Sequence, residues 1–459
     1  MQNKRPYKLP VKLLCDSDKT ITMDLVNEYI RKNEAHFPRY EYLENLYEGF
    51  HDIFNLPEKE NWKPDNRLAV NLPKYVTDVF LGYCFGAPIT KTHDDKATSE
   101  AISNFDKLNR ISEHDFEMAK KVCKYGHAFE YMYQDEEAKT RVSDHTPKEL
   151  FVVYENTLRK AGYFAVRYGV KDDLYTKYGE VITPEEIIEF EGDEFKDRRP
   201  NPYGKICVVE WLMNEERMSL YEEITAMTEA INKTLAEKVN DVDAFAEAYL
   251  AVIGAELDEE GVARIRDNRL INICGTDNAR DVVIQFLQKP SADGTQENLL
   301  DRLERLVHKI SKVPDINSES FGSASGNALS YRLHSMSDLA NLFFEKVKKS
   351  QSKRYKLFCT LAENTPNKDV FKDIKFTMSK NTPKNRLEEV QTAQAAEGMI
   401  SHETQLELLS FVDDPQTEIK RIEKEEKANQ KKLEDLGYNF GAVNEDNSTT
   451  EETEKESKS

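Results

Sequence analysis

The feature that most constrains the fold is one unusually long helical pattern. Apolar residues recur at helical spacing over residues 328–363, and about 36 helical residues would span about 54 Å. A second helical pattern ends at Pro314. Between the two lies Ser318-Glu-Ser-Phe-Gly-Ser-Ala-Ser-Gly-Asn327, whose Gly and Ser residues permit backbone conformations that other residues resist. We therefore expect a flexible loop between two long helices. Its role would be to contact another molecule, which the loop sequence alone does not identify.

Composition narrows the functional classes. The chain has 459 residues, room for two to four domains or one elongated subunit. Its hydrophobic content of 39% and charged content of 32% suit an extended, largely helical protein. The formal net charge is −20, whereas a protein that grips nucleic acid by its phosphates is expected to be basic. The sequence predicts either no contact with nucleic acid or handling of nucleic acid without a tight grip.

The cysteines and the apolar runs indicate the compartment. The six cysteines are widely spaced and form no Cys-x-x-Cys, which predicts reduced, buried thiols. No signal peptide is visible at the N-terminus. The longest apolar run, residues 248–255, is far shorter than the roughly 20 residues of a membrane span. We expect a reducing, aqueous compartment and no membrane association.

The N-terminal half predicts an α+β domain over residues 1–215. Helices are expected over 20–56 with Pro38 as a candidate break, from Pro73 to a stop at Gly86 and Pro88, and over 98–110 and 113–125. Five short aromatic and β-branched segments then predict strands: Phe129–Tyr133, Leu150–Tyr154, Tyr163–Tyr168, Glu186–Phe190 and Ile206–Trp211.

The C-terminal half is predicted to be mainly helical, so the whole chain is expected to be α+β with helix predominant. One helix begins near Leu220 and another near Thr295, and a small mixed insert over 256–289 carries candidate strands at 270–274 and 282–287. Further helices are expected from Thr382, from Ser401 after a break at Gly398, and from Pro415. The residues after Leu436 are too polar to bury and are expected to be disordered.

No catalytic or ligand-binding motif is found. The segment Gly322–Gly326 lacks the Gly-Lys-Ser/Thr ending of a phosphate-binding loop. Paired acids such as Asp172-Asp173 are expected by chance among 84 acidic residues, and His402-Glu403 lacks the second histidine of a zinc helix. No Gly-x-Ser-x-Gly elbow occurs. The sequence therefore predicts no enzyme, no cofactor and no metal.

A few basic positions are candidates for contact with nucleic acid. Lys309 and Lys312 precede the Gly/Ser segment, and Arg332 and His334 follow it. Three more arginines lie in the small insert, at positions 264, 266 and 269. Ordinary surface charge remains the commoner explanation of each set.

The order of several motifs resembles a known family, the portal proteins of tailed double-stranded DNA bacteriophages, in the branch typical of siphophages of Gram-positive hosts. Four motifs carry the resemblance: Asn66-Arg-Leu…Asn71 with Tyr83-Cys-Phe-Gly-Ala-Pro-Ile89; Phe286-Leu-Gln-Lys-Pro…Gln296-Glu-Asn…Leu303-Glu-Arg-Leu…Ser311-Lys-Val-Pro-Asp315; Ser325-Gly-Asn-Ala-Leu-Ser-Tyr-Arg-Leu333; and Gly398-Met-Ile-Ser-His-Glu-Thr404. They occur in the family's order across most of the chain.

The resemblance implies the phage-portal architecture, with an α/β wing, a helical stem, a small α/β clip, a long helix and a helical crown. The implied bounds are 1–218 for the wing, 219–252 and 291–314 for the stem helices, 253–290 for the clip, 315–327 for the tunnel loop, 328–379 for the long helix and its return to the wing, 380–436 for the crown, and 437–459 for a disordered acidic tail.

The resemblance also implies a function and a set of partners. The implied protein is a dodecameric ring at one capsid vertex, the channel for DNA packaging and ejection, located in the virion and, during assembly, in the host cytoplasm. The implied partners are other copies of the chain, double-stranded DNA, the large terminase subunit, a head-completion (adaptor) protein, and the major capsid and scaffold proteins. ATP hydrolysis would come from the separate terminase motor.

Site residues follow from the mapping. The DNA-facing set would be Lys309, Lys312, Ser318, Glu319, Ser320, Phe321, Gly322, Ser323, Ser325, Gly326, Asn327 and Arg332. The set that docks terminase or adaptor would be Arg264, Arg266, Asp267 and Arg269. An acidic wall would keep DNA from sticking. Two alternatives remain open, a scaffold or minor head protein that forms no channel, and an enzyme of the β-rich region.

Overall fold

The computed structural model describes residues 12–246 apart from 17, 61–62 and 174, then 250–253, 283–286, 293–317, 326–382, and 386–435 apart from 410 and 413. The chain divides into two compact units, Met1–Asn381 and Thr382–Ser459. No helix of the described residues is long and apolar enough to cross a membrane.

Five helices open the first unit. They are α1 (Met23–Glu34), α2 (Phe37–Glu48), α3 (Leu72–Phe85), α4 (Lys96–Leu108) and α5 (Ile111–Tyr125). The Thr22 hydroxyl accepts a hydrogen bond from the Leu25 amide at 3.3 Å and so caps α1. Pro38 lies in the first turn of α2, where a missing N–H costs no helical hydrogen bond. The predicted break of the 20–56 helix near Pro38 is confirmed.

Thirteen strands are present in the described residues. They are β1 (Leu13–Cys15), β2 (Thr90–Thr92), β3 (His127–Gln134), β4 (Thr140–His145), β5 (Leu150–Glu155), β6 (Gly162–Val170), β7 (Lys177–Ile182), β8 (Glu186–Glu191), β9 (Glu194–Pro200), β10 (Val208–Leu212), β11 (Leu250–Ile253), β12 (Val283–Phe286) and β13 (Lys375–Thr377). One sheet has the order β1-β5-β6-β7-β8-β9 and is antiparallel except for the parallel β1–β5 pair. A second sheet has the order β10-β3-β4, and β11–β12 and β13–β2 form two-stranded pairs.

The five strands predicted from sequence are confirmed within β3, β5, β6, β8 and β10. The prediction missed β1, β2, β4, β7, β9 and β13, and the reason is clearest for β9. Its sequence Glu-Phe-Lys-Asp-Arg-Arg-Pro is exposed at all but one position, so no apolar alternation marks it as a strand. Pairing with β8 holds β9 in the sheet instead.

Three long helices follow the sheets: α6 (Thr225–Ala246), α7 (Asp293–Ser311) and α8 (Gly326–Phe358). The helix expected to extend to residue 252 ends earlier, since residues 250–253 form β11. The long helix begins two residues before the predicted start and ends at Phe358 instead of 363. The Asn364 side-chain amide donates to the Phe358 carbonyl at 2.8 Å, which satisfies an acceptor left over at the end of the helix.

The long helix α8 packs into the aromatic core of the unit. Phe343 lies 5.8 Å, centroid to centroid, from Phe80 of α3, and Phe358 lies 4.5 Å from Phe105 of α4. All four side chains are buried. Burial of each phenyl group contributes about 1.5–3 kcal/mol. The helix is therefore integral to this unit and is not an appended arm.

A buried ionic cluster joins α8 to α5 and β3. Arg354 is fully buried, and its Nε donates to both carboxylate oxygens of Glu130, at 2.9 and 3.0 Å. Its Nη2 lies 2.7 Å from the Asp115 carboxylate, and the Gln351 amide donates to the same carboxylate at 2.7 Å. His114 approaches Glu130 at 3.0 Å. Although burial opposes ionisation, the Arg354 charge and the His114 hydrogen bond lower the pKa of Glu130 to about 2.

A second buried cluster lies where the β-rich part leads into α6. The Arg39 guanidinium donates to the Glu222 carboxylate, to the Tyr125 carbonyl at 3.1 Å and to the Arg217 carbonyl at 2.9 Å. Arg217 in turn donates to Glu210 from Nε at 2.8 Å. These bonds fix the segment between β10 and α6 against α2 and α5.

His127 makes this region sensitive to acid. Burial lowers the pKa of His127 to about 4, although Glu210 at 3.1 Å opposes that shift. The folded protein therefore holds a neutral imidazole where the unfolded chain, with an ordinary pKa near 6.5, binds a proton. We expect the free energy of unfolding to fall as the pH drops from about 6.5 to 4, measured by urea denaturation. His127→Gln should flatten that part of the profile, and an unchanged profile would contradict the assignment.

The second unit is helical in its described part. It contains α9 (Arg386–Ala395), α10 (His402–Glu407) and α11 (Pro415–Asp435). Gly398 has φ +78°, which ends the first helical stretch, and the Ser401 hydroxyl accepts from the Thr404 amide at 3.3 Å to begin the next. The breaks predicted at Gly398, Ser401 and Asp414–Pro415 are confirmed. The expected disordered tail lies outside the described residues.

The prediction of buried thiols is confirmed for the cysteines that the structure describes. Five cysteines are free and buried: Cys15, Cys84, Cys123, Cys207 and Cys359. Burial raises the pKa of the Cys207 thiol to about 12, so the thiol stays protonated and unreactive. Cys274 lies outside the described residues.

Candidate nucleic-acid interface

Helices α6 and α7 form an antiparallel pair with a β-ribbon between them in sequence. Lys238, near the end of α6, forms an ion pair with Glu297, near the start of α7. Beyond the end of α6, β11 pairs antiparallel with β12, Leu250 opposite Phe286 and Ile253 opposite Val283. The predicted strand at 282–287 is thus confirmed in its central four residues. The candidate strand at 270–274 and the docking residues Arg264, Arg266, Asp267 and Arg269 lie outside the described residues.

The end of α7 starts the candidate loop. The helix stops at Ser311 because Lys312 adopts φ +61°, a left-handed conformation that cannot continue it. The Val313 carbonyl accepts a hydrogen bond from His308 Nδ1 at 2.9 Å, so Nδ1 carries the proton. The Val313 amide donates to the Ser311 hydroxyl at 3.3 Å. The predicted helix end at Pro314 is therefore three residues late.

Tyr75 of α3 fixes the next two residues of the chain. Its hydroxyl donates to the Asp315 carboxylate at 3.2 Å and accepts from the Ile316 amide at 3.0 Å. Its ring packs edge-on against His308 with centroids 6.0 Å apart. The base of the loop is thus held by α3 as well as by α7.

Helix α8 holds the same base from the other side. The Ser335 hydroxyl donates to the Lys312 carbonyl at 3.5 Å, and Leu333 and Met336 are buried. We call the residues that these contacts hold, 312–316, the loop base. Three helices from distant parts of the sequence therefore set the point at which the candidate loop leaves the body.

The predicted DNA-facing residues fall into three groups. Ser318, Glu319, Ser320, Phe321, Gly322, Ser323 and Ser325 lie outside the described residues. Gly326 and Asn327 were predicted in the loop, but they form the first turn of α8. Lys309, Lys312 and Arg332 have exposed side chains.

Arg332 lies at an open groove of about 460 Å³ beside the loop base. Its lining from α7 and the loop base carries charges of both signs, from Asp301, Glu304, Arg305 and Asp315, together with His308 and Pro314. Three carboxylates against the two guanidinium groups of Arg305 and Arg332 oppose tight binding of a polyanion here.

Sequence reasoning missed Tyr75. It lies 241 residues before Ile316, and nothing in its own segment marks it as a partner of the loop. The only sequence signal was its place in the motif region 66–89, which the resemblance treated as a helix and nothing more.

Tyr75→Phe should release the loop base while leaving the core intact. The phenyl ring keeps its packing on His308, but the Ile316 amide loses its acceptor. We expect the Ile316 amide to exchange its hydrogen at least about tenfold faster, by site-resolved hydrogen exchange. Tyr42→Phe is a control that leaves this contact intact. Equal exchange at Ile316 in both variants and the parent would show that the contact does not hold the loop base.

These features agree with a structural protein of a phage particle, and comparison with known proteins defines the class. Residues 26–432 match the family described as phage portal protein, SPP1 Gp6-like, so the chain belongs to that family. The protein is therefore a portal protein, a connector of the portal vertex of the virion.

One curated relative is the portal protein of Bacillus phage SPP1. It is 24% identical over 453 residues, which cover 90% of this chain and 88% of the relative. Two solved structures are also similar: the neck of an empty GTA particle computed with C6 symmetry and the neck of a native GTA particle computed with C12 symmetry. Each is 11% identical with a TM-score of 0.46, covering 73% of this chain and 90% and 88% of theirs, respectively.

Proposed function

We propose that twelve copies of this chain close into a ring whose central channel conducts double-stranded DNA during packaging and ejection. The observation that carries the proposal is the loop base, a segment fixed by α3, α7 and α8 at the end of a stem-like helix pair. The sequence after the loop base is rich in Gly and Ser, and this composition beside a fixed base suits contact with a moving ligand, because Gly and Ser permit many backbone conformations. The ring would assemble in the host cytoplasm.

The negative net charge of the chain supports a channel through which DNA moves, and not a surface that binds DNA tightly. Each chain carries −20, and a ring multiplies that charge. Like charge on wall and duplex prevents the release of counterions that drives tight binding. Within the channel, the exposed cations at and beside the loop base, Lys309, Lys312 and Arg332, would contact phosphates weakly.

Different partners would bind during and after DNA packaging. The large terminase subunit would supply ATP hydrolysis and dock on the segment between α6 and α7, with Arg264, Arg266, Asp267 and Arg269 as contact candidates. A head-completion (adaptor) protein would take over the same face after packaging. Major capsid and scaffold proteins would meet the remaining surface. A pull-down of terminase with the four residues changed to Ala tests this assignment, and undiminished binding would refute it.

The ring is tested by negative-stain microscopy and native mass spectrometry of the purified chain. We expect closed rings with a central hole wide enough for a duplex about 20 Å across. A monomer that forms rings only with its scaffold protein would still support the proposal. A chain that forms no ring even with scaffold would point to the alternative, a capsid assembly protein without a channel.

Lys309→Glu with Lys312→Glu tests the cations at and beside the loop base. Both side chains are exposed, so the change should leave ring formation intact and reduce DNA packaging or retention by about tenfold or more. The readout is nuclease-protected DNA in an in vitro packaging reaction. Lys107→Glu with Lys196→Glu makes the same charge change on the surface of α4 and β9 and should package normally. Loss of the ring in the first variant would identify the two lysines as subunit contacts.

A further inference from the structure

A row of lysines runs along the exposed side of α8. Lys346, Lys349, Lys353 and Lys356 follow one another at intervals of three, four and three residues, which places them on one face of the helix. They extend over about 15 Å at 1.5 Å per residue. We call these four residues the lysine stripe. It begins twenty residues after Gly326, about 30 Å along the helix from the end of the candidate loop.

Three more lysines flank the stripe. Lys12 is close enough to interact electrostatically with Lys353, and so is Lys349. Lys205 is close to Lys356 and to Lys368 in the same way. Seven lysines from four segments of the chain thus converge on one surface of a protein whose net charge is −20.

Few carboxylates neutralise this surface. Glu215 pairs with Lys346 at 2.5 Å. Among the described residues, no carboxylate lies within ion-pair distance of Lys349, Lys353 or Lys356, although 84 acidic residues occur in the chain. Asp369 lies near Lys205 but pairs with Lys372 at 2.8 Å. The surface therefore keeps an excess of positive charge.

The lysines repel one another in the free protein. Desolvation lowers the pKa of Lys353; the charge of Glu210 opposes this shift, and the charges of Lys349 and Lys12 add to it. Desolvation likewise lowers the pKa of Lys205, and Lys356 and Lys368 add to the effect. A bound polyanion would relieve this repulsion, so its binding is favoured beyond the direct attraction.

The chemistry of the surface favours nucleic acid over a protein partner. Protein interfaces are depleted in lysine at their centres and rely on aromatic, Met and Arg anchors. The stripe offers no large exposed apolar side chain between Lys346 and Lys356, and the nearest on this helix is Leu342. Lysine is a point charge on a flexible stem, which suits phosphate oxygens at variable positions.

We propose that the lysine stripe binds the phosphate backbone of double-stranded DNA on the body of the protein, as a contact separate from the candidate loop. The contact is independent of base sequence, because it reads only phosphates. It goes beyond a channel function, which needs no DNA site on the outer face of α8.

The test measures binding of a labelled 20-base-pair duplex to the purified chain by fluorescence anisotropy from about 25 to 200 mM salt. Each lysine that neutralises a phosphate adds about 0.9 to the slope of log affinity against log salt. Lys349→Gln, Lys353→Gln and Lys356→Gln together should therefore lower that slope by about 2–3 and weaken binding at 50 mM salt by about tenfold or more.

The matched control removes three lysines that pair with a carboxylate on their own helix: Lys32→Gln, Lys74→Gln and Lys120→Gln. It makes the same charge change and should keep the parent slope. Equal slopes in the two triple variants would overturn the proposal. So would stronger competition by poly-glutamate than by unlabelled duplex, which would indicate an acidic protein partner.

A third measurement separates this proposal from the channel. The stripe variant should form the same oligomer as the parent by native mass spectrometry, since its changes are exposed. Loss of the oligomer would reassign the stripe to a contact between copies. The Lys309→Glu, Lys312→Glu variant should keep the stripe-dependent part of duplex binding even if packaging fails. The duplex-binding measurement therefore remains interpretable even if the chain forms no ring or channel, because fluorescence anisotropy needs only the folded chain.

Discussion

Replacing Arg354 with Met should lower the free energy of unfolding by about 3–5 kcal/mol. The guanidinium is fully buried between Glu130 and Asp115, both of which are buried as well. Met fills similar space but leaves two carboxylates without a counter-charge in a low-dielectric interior. Burial of unpaired charge costs more than the loss of the hydrogen bonds themselves. Urea denaturation followed by circular dichroism measures the change.

Two further variants test whether the unpaired buried charges cause the loss of stability. Lys348→Met changes an exposed charge on the same helix and should alter stability by less than about 0.5 kcal/mol. Adding Glu130→Gln and Asp115→Asn to Arg354→Met removes the orphaned charges and should restore part of the loss. A loss below about 1 kcal/mol in the single variant would show that the cluster is hydrated or rearranges.

Gly126→Ala should destabilise the fold by about 3 kcal/mol or more, because two costs add. Gly126 ends α5 with φ +86°, where a side chain costs roughly 1–2 kcal/mol. A Cβ there would lie 2.0 Å from the Arg217 carbonyl oxygen, so the backbone of the segment leading to α6 must move. That same carbonyl accepts from Arg39, and the shift would disturb the second buried cluster.

Gly192→Ala separates the two costs. Gly192 has φ +62°, but no atom lies within 4 Å of the position that an added Cβ would take, so it carries the conformational cost alone. We expect it to lose about 1–2 kcal/mol. Equal losses at Gly126 and Gly192 would mean that the close approach of Arg217 is unimportant. Thermal and urea unfolding of both variants decide the point.

Periodicity predicted the helices well because their apolar faces are regular. The apolar spacing that includes Met227, Ile231 and Leu235 predicted α6, although the helix begins at Thr225 and the predicted start was near Leu220. The end of α6 was wrong because the apolar run Ala248–Ala255 suits helix and strand equally, and only pairing with β12 decides for strand in residues 250–253. Short apolar runs carry no information on their partners.

The sites were harder to predict than the fold. Charge and spacing drew attention to Lys309 and Lys312, and both prove exposed. The contact that holds the loop base, Tyr75 with Ile316, joins residues that only the folded chain brings together. The lysine stripe was not predicted: its four lysines are regularly spaced in the sequence of α8, but the flanking lysines at 12, 205 and 368 come from other segments. Contacts between residues that are far apart in the sequence leave no pattern in either segment.

The two outer strands of the six-stranded sheet bear on how the chain survives before assembly. An outer strand exposes unpaired amides and carbonyls that invite strands of other copies to add, which is a route to aggregation. One outer strand, β1, is only three residues long. The other, β9, carries Lys196, Asp197, Arg198 and Arg199 in succession. A short outer strand and a charged one discourage the addition of strands from other copies, and so they discourage fibrous growth.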